Sequence, residues 1–101
     1  MVAMELSEKQ LRFLRGRGHP LKPVVLIGKT GLTAAVIAET QRALEDHELI
    51  KVRIRAASRE QRDAMLAELI GATRSALVSR IGHVALLYRE RAALPRMVLP
   101  A

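Results

Sequence analysis

The chain has no cysteine and no tryptophan, and its aromatic rings are limited to Phe13 and Tyr88. The missing thiols exclude disulfides and thiolate metal sites, and fit a reducing cytoplasm as the expected location. The missing rings exclude a base-stacking platform of the kind an RRM or OB-fold carries. Long apolar runs are missing too. Stretches such as Val24-Val25-Leu26-Ile27 are strand-sized and far short of a membrane span. Met1 to Leu6 carries an acid and no long apolar region, so no signal peptide and no membrane partner are expected.

What is present fits one folded domain. The chain has 101 residues and half of them are apolar, broken at secondary-structure intervals. Lysine and arginine number 17 against 10 acids, a net charge of +7. Such a balance favours a polyanionic partner. With so few rings, binding to a nucleic acid would run through phosphates, sugars and shape.

Ser7-Glu8-Lys9-Gln10 reads as a capping box opening a helix that continues through Leu11 and Leu14 and ends near Gly16 and Gly18. Its polar face carries Lys9, Arg12, Arg15 and Arg17. Pro20 and Pro23 punctuate an extended linker holding Lys22, and Val24–Ile27 reads as a buried strand. After Gly28–Gly31, Thr33 is the expected N-cap of a helix from Ala34 to about Asp46. Glu45, Asp46 and Glu48 are expected at its solvated end.

Ile50, Val52 and Ile54 then alternate with Lys51, Arg53 and Arg55, which predicts a half-buried strand with a basic outer row. Ser58-Arg59-Glu60-Gln61 reads as a second capping box, with a helix running through Met65, Leu66, Leu69 and Ile70 to about Gly71–Thr73. Strands over Ala76–Ile81 and Val84–Arg89 meet at a Gly82-His83 hairpin. Residues 90–101, with Pro95 and Pro100, read as an irregular tail, so the domain is expected to close at residue 91 and 92–101 to form a C-terminal tail. The order α-β-α-β-α-β-β predicts a single α/β domain with a four-stranded mixed sheet. Most helices should lie on one face, leaving the other open to the basic row.

Gly28-Lys29-Thr30 first suggests a nucleotide-binding P-loop, but that motif requires glycine where Pro23 stands. The G-x-x-G spacing of Gly28, Lys29, Thr30 and Gly31 fits better. Glycines permit positive φ and close approach to a phosphate, the following helix start offers N–H donors, and Lys29 adds a charge. Similar short loops clamp nucleotide backbones in KH domains. Lys51, Arg53 and Arg55 could serve only to discourage edge pairing. With Lys22, Lys29, Arg12 and Arg15 they could equally form one phosphate-binding surface. His19, His47 and His83 are dispersed and show no metal-ligand spacing. No nucleophile–base arrangement stands out. A non-enzyme without cofactor, metal or small-molecule substrate is therefore expected. The competing readings are a protein-interaction module and a nonspecific nucleic-acid-binding protein.

His19-Pro20-Leu21-Lys22-Pro23-Val24-Val25, Ile27 to Thr33, His47 to Val52, Ile81-Gly82 and Leu87-Tyr88-Arg89 together resemble the CRM domain. This is the chloroplast RNA splicing and ribosome maturation domain, here in its stand-alone bacterial YhbY-like form. The resemblance spans about Leu6 to Arg91. It implies an α/β fold similar to the C-terminal domain of bacterial translation initiation factor three. It also implies an RNA partner, the ribosomal RNA of large-subunit precursors, contacted by the Gly28–Gly31 loop and the adjoining basic surface. A monomer is expected. His83 departs from the pattern, since relatives often carry lysine after the hairpin glycine. Histidine there would make the charge depend on pH.

Overall fold

The computed structural model describes residues 5–91 and 97–101. Seven elements follow in order: α1 (Glu8–Gly18), β1 (Pro23–Ile27), α2 (Ala34–His47), β2 (Leu49–Ile54), α3 (Arg59–Thr73), β3 (Ala76–Ile81) and β4 (Val84–Tyr88). The strands form one mixed sheet in the order β1-β2-β4-β3, as the α/β reading predicts. β1 runs parallel to β2, and the remaining pairs are antiparallel. Pro23 begins an edge strand, where its missing N–H costs no ladder bond.

Local chemistry starts each helix. Ser7 Oγ accepts from Gln10 N at 3.1 Å, and Gln10 Oε1 accepts from Ser7 N at 3.0 Å, which completes the first capping box. Thr33 caps α2 through Val36 N at 3.2 Å. The second box is only half formed. Ser58 Oγ accepts from Gln61 N at 3.1 Å, but Gln61 Oε1 reaches one residue further back, to Ala57 N at 2.7 Å. That bond fixes the loop between β2 and α3 instead of the cap residue itself.

The alternation of β2 sorts its residues onto two faces. Ile50, Val52 and Ile54 join Val25, Ile27, Leu44, Met65, Leu66, Leu69, Ala85 and Leu87 in the main core beneath α2 and α3. Leu49 points the other way, with Leu14, Val78, Leu86 and Tyr88, into a second core. α1 lies there against β2, β4 and β3, and Leu6, Leu11, Phe13, Met97 and Leu99 pack around it. The second face is thus covered over part of its width, and open only toward β1, where Val24 and Leu26 are about half exposed at 51 % and 50 %. Apolar residues on both faces of β4 required this second layer, because a single-layer core would have left Leu86 and Tyr88 in water. Burial, reinforced by the nearby Glu48 and Glu90 carboxylates, pushes the Tyr88 hydroxyl up to about 12.

One expectation is corrected here. Glu48 does not sit at a solvated helix end. It is fully buried, adopts φ 65°, and accepts from Arg91 N at 2.8 Å and Met97 N at 2.9 Å. Residues 97–101 form neither helix nor strand, yet they pack onto the domain. Met97 and Leu99 fill the second core, and Pro100 O accepts from Gln10 Nε2 at 3.0 Å. Pro95 lies outside the described residues.

Gly18 ends α1 as expected, and it is needed for a second reason. A Cβ placed there would stand 2.6 Å from Leu86 Cδ2, inside the second core, whereas nothing lies within 4 Å of one at Gly16. Gly18→Val is therefore expected to lower stability by about 2 kcal/mol through overpacking. Gly16→Ala should raise it by about 0.5–1 kcal/mol, by relieving the entropy cost of a mid-helix glycine. Thermal unfolding of the two variants, with α1 helicity followed by circular dichroism, checks the opposite signs.

Candidate nucleic-acid interface

Parallel pairing brings the carboxyl ends of β1 and β2 side by side, with Ile27 in register with Ile54. The two loops that leave these ends must therefore meet. Arg55 N donates to Ile27 O at 2.9 Å, which locks the start of one loop to the end of the neighbouring strand. Gly31 N donates to Gly28 O at 3.0 Å and closes a tight turn with Lys29 and Thr30 at its exposed tip. Only Gly31 takes the positive φ expected of both glycines, at 78°. Gly28 has open space where a side chain would be. Its value at the loop is clearance for an incoming group.

A cavity of about 340 Å³ opens between the loops, lined by Gly28, Lys29, Gly31 and Arg55 and, on its other walls, Ala56, Ala57, Gln61 and Met65. Directly beyond Gly31, α2 begins with no acidic residue in its first turn. Thr33 Oγ satisfies Val36 N and Thr33 O satisfies Ile37 N. The N–H groups of Ala34 and Ala35 thus remain ahead of the intrahelical ladder, at the positive end of the helix dipole. Loop, helix start and cationic side chains all favour an anion at this corner.

The remaining basic residues divide by position. Arg55 lies past the last residue of β2 rather than in its outward row, and borders a second cleft with Arg53 and His83. Leu26 is Arg53's register partner, so apolar and basic groups adjoin on the open part of the sheet. Lys51 is held toward the end of α1, where its Nζ donates to His19 O at 3.2 Å. Lys22 sits in a separate cleft with Arg17, Leu21 and His47. Arg12 and Arg15 are exposed on α1, away from the loop cavity.

The described ion pairs engage Arg62 and Arg80 with Asp63, and Arg89 with Glu45. Lys29, Arg53 and Arg55 belong to none of these, so among the described residues no carboxylate forms an ion pair at the loop corner. Arg89 has a structural task. It donates to Gln41 Oε1 and to Thr73 O, the latter at 2.9 Å, and thereby ties β4 to α2 and α3. Sequence reasoning missed Ala56, Ala57, Gln61 and Met65, because only the parallel pairing carries them to the glycine loop.

Comparison with known proteins bears on this arrangement. A family model for the CRS1 / YhbY (CRM) domain matches residues 6–89. The chain belongs to the CRM-domain family. A CRM relative named "probable RNA-binding protein" in Pseudomonas aeruginosa is 48 % identical over 87 residues, which are 86 % of this chain and 84 % of the relative. An "RNA-binding protein" of Haemophilus influenzae is 46 % identical over 84 residues, 83 % of this chain and 85 % of that one. The solution structure of a Staphylococcus aureus protein superimposes with a TM-score of 0.80 at 35 % identity, covering 95 % of this chain and all of the other. The CRM fold of three helices and a four-stranded mixed sheet is thus shared with a solved relative.

Among the described residues, no group of three or more His, Asp or Glu side chains could hold a metal ion, and no helix is long and apolar enough to cross a membrane.

Proposed function

We propose that this protein is an RNA-binding ribosome assembly factor. It grips the backbone of ribosomal RNA in large-subunit precursors in the cytoplasm. The observation that carries the RNA reading is the loop corner. There Lys29 and Arg55 share one cavity, without carboxylate partners among the described residues, beside a helix start free of acids. The names of the Pseudomonas and Haemophilus relatives support the same partner class. The ribosomal precursor as target rests on the family resemblance.

Removing one phosphate contact should register in the salt dependence. Lys29→Ala is expected to weaken binding to structured RNA and to reduce the slope of log K against log salt by about one. Fluorescence anisotropy across a salt series measures both quantities. A folded variant with unchanged affinity and slope would refute the central place of Lys29.

One observation favours a second reading. The exposed apolar pair Val24 and Leu26, on the edge strand β1, could dock on a ribosomal protein. Retention on such a partner that resists salt, without retention on RNA, is the result that would select it.

A further inference from the structure

The cavity at the loop corner is not built like a pure phosphate site. Its rim is cationic and glycine-lined, through Lys29, Arg55, Gly28 and Gly31, but its walls include the methyl groups of Ala56 and Ala57 and the thioether of Met65. Met65 is 9 % exposed, and its sulfur lies 3.8 Å from the place a Cβ on Gly31 would take. A bare phosphate gains nothing from such walls. Gln61 adds a polar handle. Its Oε1 is committed to Ala57 N, which fixes the amide and leaves Nε2 as the donor, with no hydrogen-bond partner among the described residues.

We propose that this cavity receives one unpaired nucleobase of the RNA strand whose phosphates the Gly28–Gly31 loop holds. This rests on the RNA-binding reading above and goes further, because it makes the site a reader of extruded bases as well as of backbone. A flat, polarisable base fits within the volume of about 340 Å³. Its face packs on Met65, since a thioether makes favourable contacts with aromatic rings. Every base also presents an acceptor at some edge to meet Gln61 Nε2. In a chain without a stacking platform, methionine takes the place of the ring. The charged rim selects a nucleotide over an uncharged apolar ligand, because the base must arrive attached to a phosphate. RNA with an unpaired residue should thus be preferred to a continuous duplex, whose bases cannot enter.

The Met65 methyl group reports directly on the cavity. With methyl-¹³C methionine in the full chain, a short single-stranded RNA is titrated beside the same strand with abasic riboses. The base-bearing strand should shift the Met65 signal by its ring current, and the abasic strand should leave that signal nearly in place. Affinity should fall roughly fivefold without bases, on the order of one well-packed contact and one hydrogen bond. Ala57→Leu, which fills the cavity from its exposed wall, should erase the difference between strands while the salt slope persists. Equal Met65 shifts and equal affinities for both strands, with salt-dependent binding intact, would overturn the base pocket and leave the backbone clamp standing. Failure of both strands to bind at low salt would instead overturn the RNA reading itself, and the pocket with it.

Discussion

Replacing Glu48 with alanine is expected to lower the stability of the fold by about 3 kcal/mol, since two hydrogen bonds to a charged group are lost in a buried setting. The carboxylate accepts from Arg91 N at 2.8 Å and from Met97 N at 2.9 Å. Through these bonds one side chain holds both Arg91 and Met97, and Met97 packs in the second core. Its backbone is equally committed: Glu48 N donates to Leu44 O at 2.8 Å to end α2, and Glu48 O accepts from Arg89 N at 2.9 Å beside β4. The φ of 65° is costly for any residue with a Cβ. Glu48→Gly should therefore be less damaging than Glu48→Ala by about 1 kcal/mol, because it relieves the strain while losing the same carboxylate. Urea unfolding of both variants decides the point. A loss below about 1 kcal/mol for alanine would show that the carboxylate does not anchor the C-terminal segment, and equal stabilities of the two variants would show that the positive φ stores no strain.

The difference between a legible helix and an illegible Glu48 is one of range. Ser7 and Gln10 cap α1 from three residues apart, and the alternation Ile50, Val52, Ile54 declares its own face, so those elements could be read directly. Glu48 looks like any acid near a helix end. Only the left-handed backbone and two N–H donors more than forty positions away make it buried. Gly18 was rightly read as the end of α1, but its second task was hidden for the same reason. It suits a helix terminus, yet its missing side chain makes room for Leu86, a residue of the far hairpin. The second core was hidden because its members alternate with main-core residues along β4, and a run such as Ala85-Leu86-Leu87-Tyr88 shows burial but not which layer covers each face.

The candidate site divides along the same line. The glycine spacing and Lys29 are local and were legible, while the cavity they share with Arg55, Gln61 and Met65 depends on a parallel strand pair spanning the whole of α2. Parallel strands place successive loops at one end of a sheet, so a site assembled there draws on residues far apart in the chain. Basic residues counted together in the sequence, such as Lys22 and Lys29, fall at opposite ends of β1 and enter different clefts.

The two loop glycines should separate folding from binding. Gly31→Val is expected to lose about 1–2 kcal/mol of stability, because a β-branched side chain is forced to φ 78°, a region that L-residues avoid. Crowding adds little, since the nearest atom to its Cβ would be Met65 Sδ at 3.8 Å, an ordinary contact. Gly28→Val meets neither obstacle. It has no positive φ and no neighbour within 4 Å, so its stability should stay within about 0.5 kcal/mol of the parent. Its new side chain nevertheless stands in the clearance through which a phosphate would reach the turn. RNA affinity should fall roughly tenfold or more, as expected where a close backbone approach is blocked. Thermal unfolding and anisotropy titrations on both variants give the two readouts separately. If Gly28→Val folds and binds RNA as tightly as the parent, the strand does not pass over the loop. If it folds normally and binding collapses, the open space above Gly28 is the path of the backbone, and Lys29 acts from its edge.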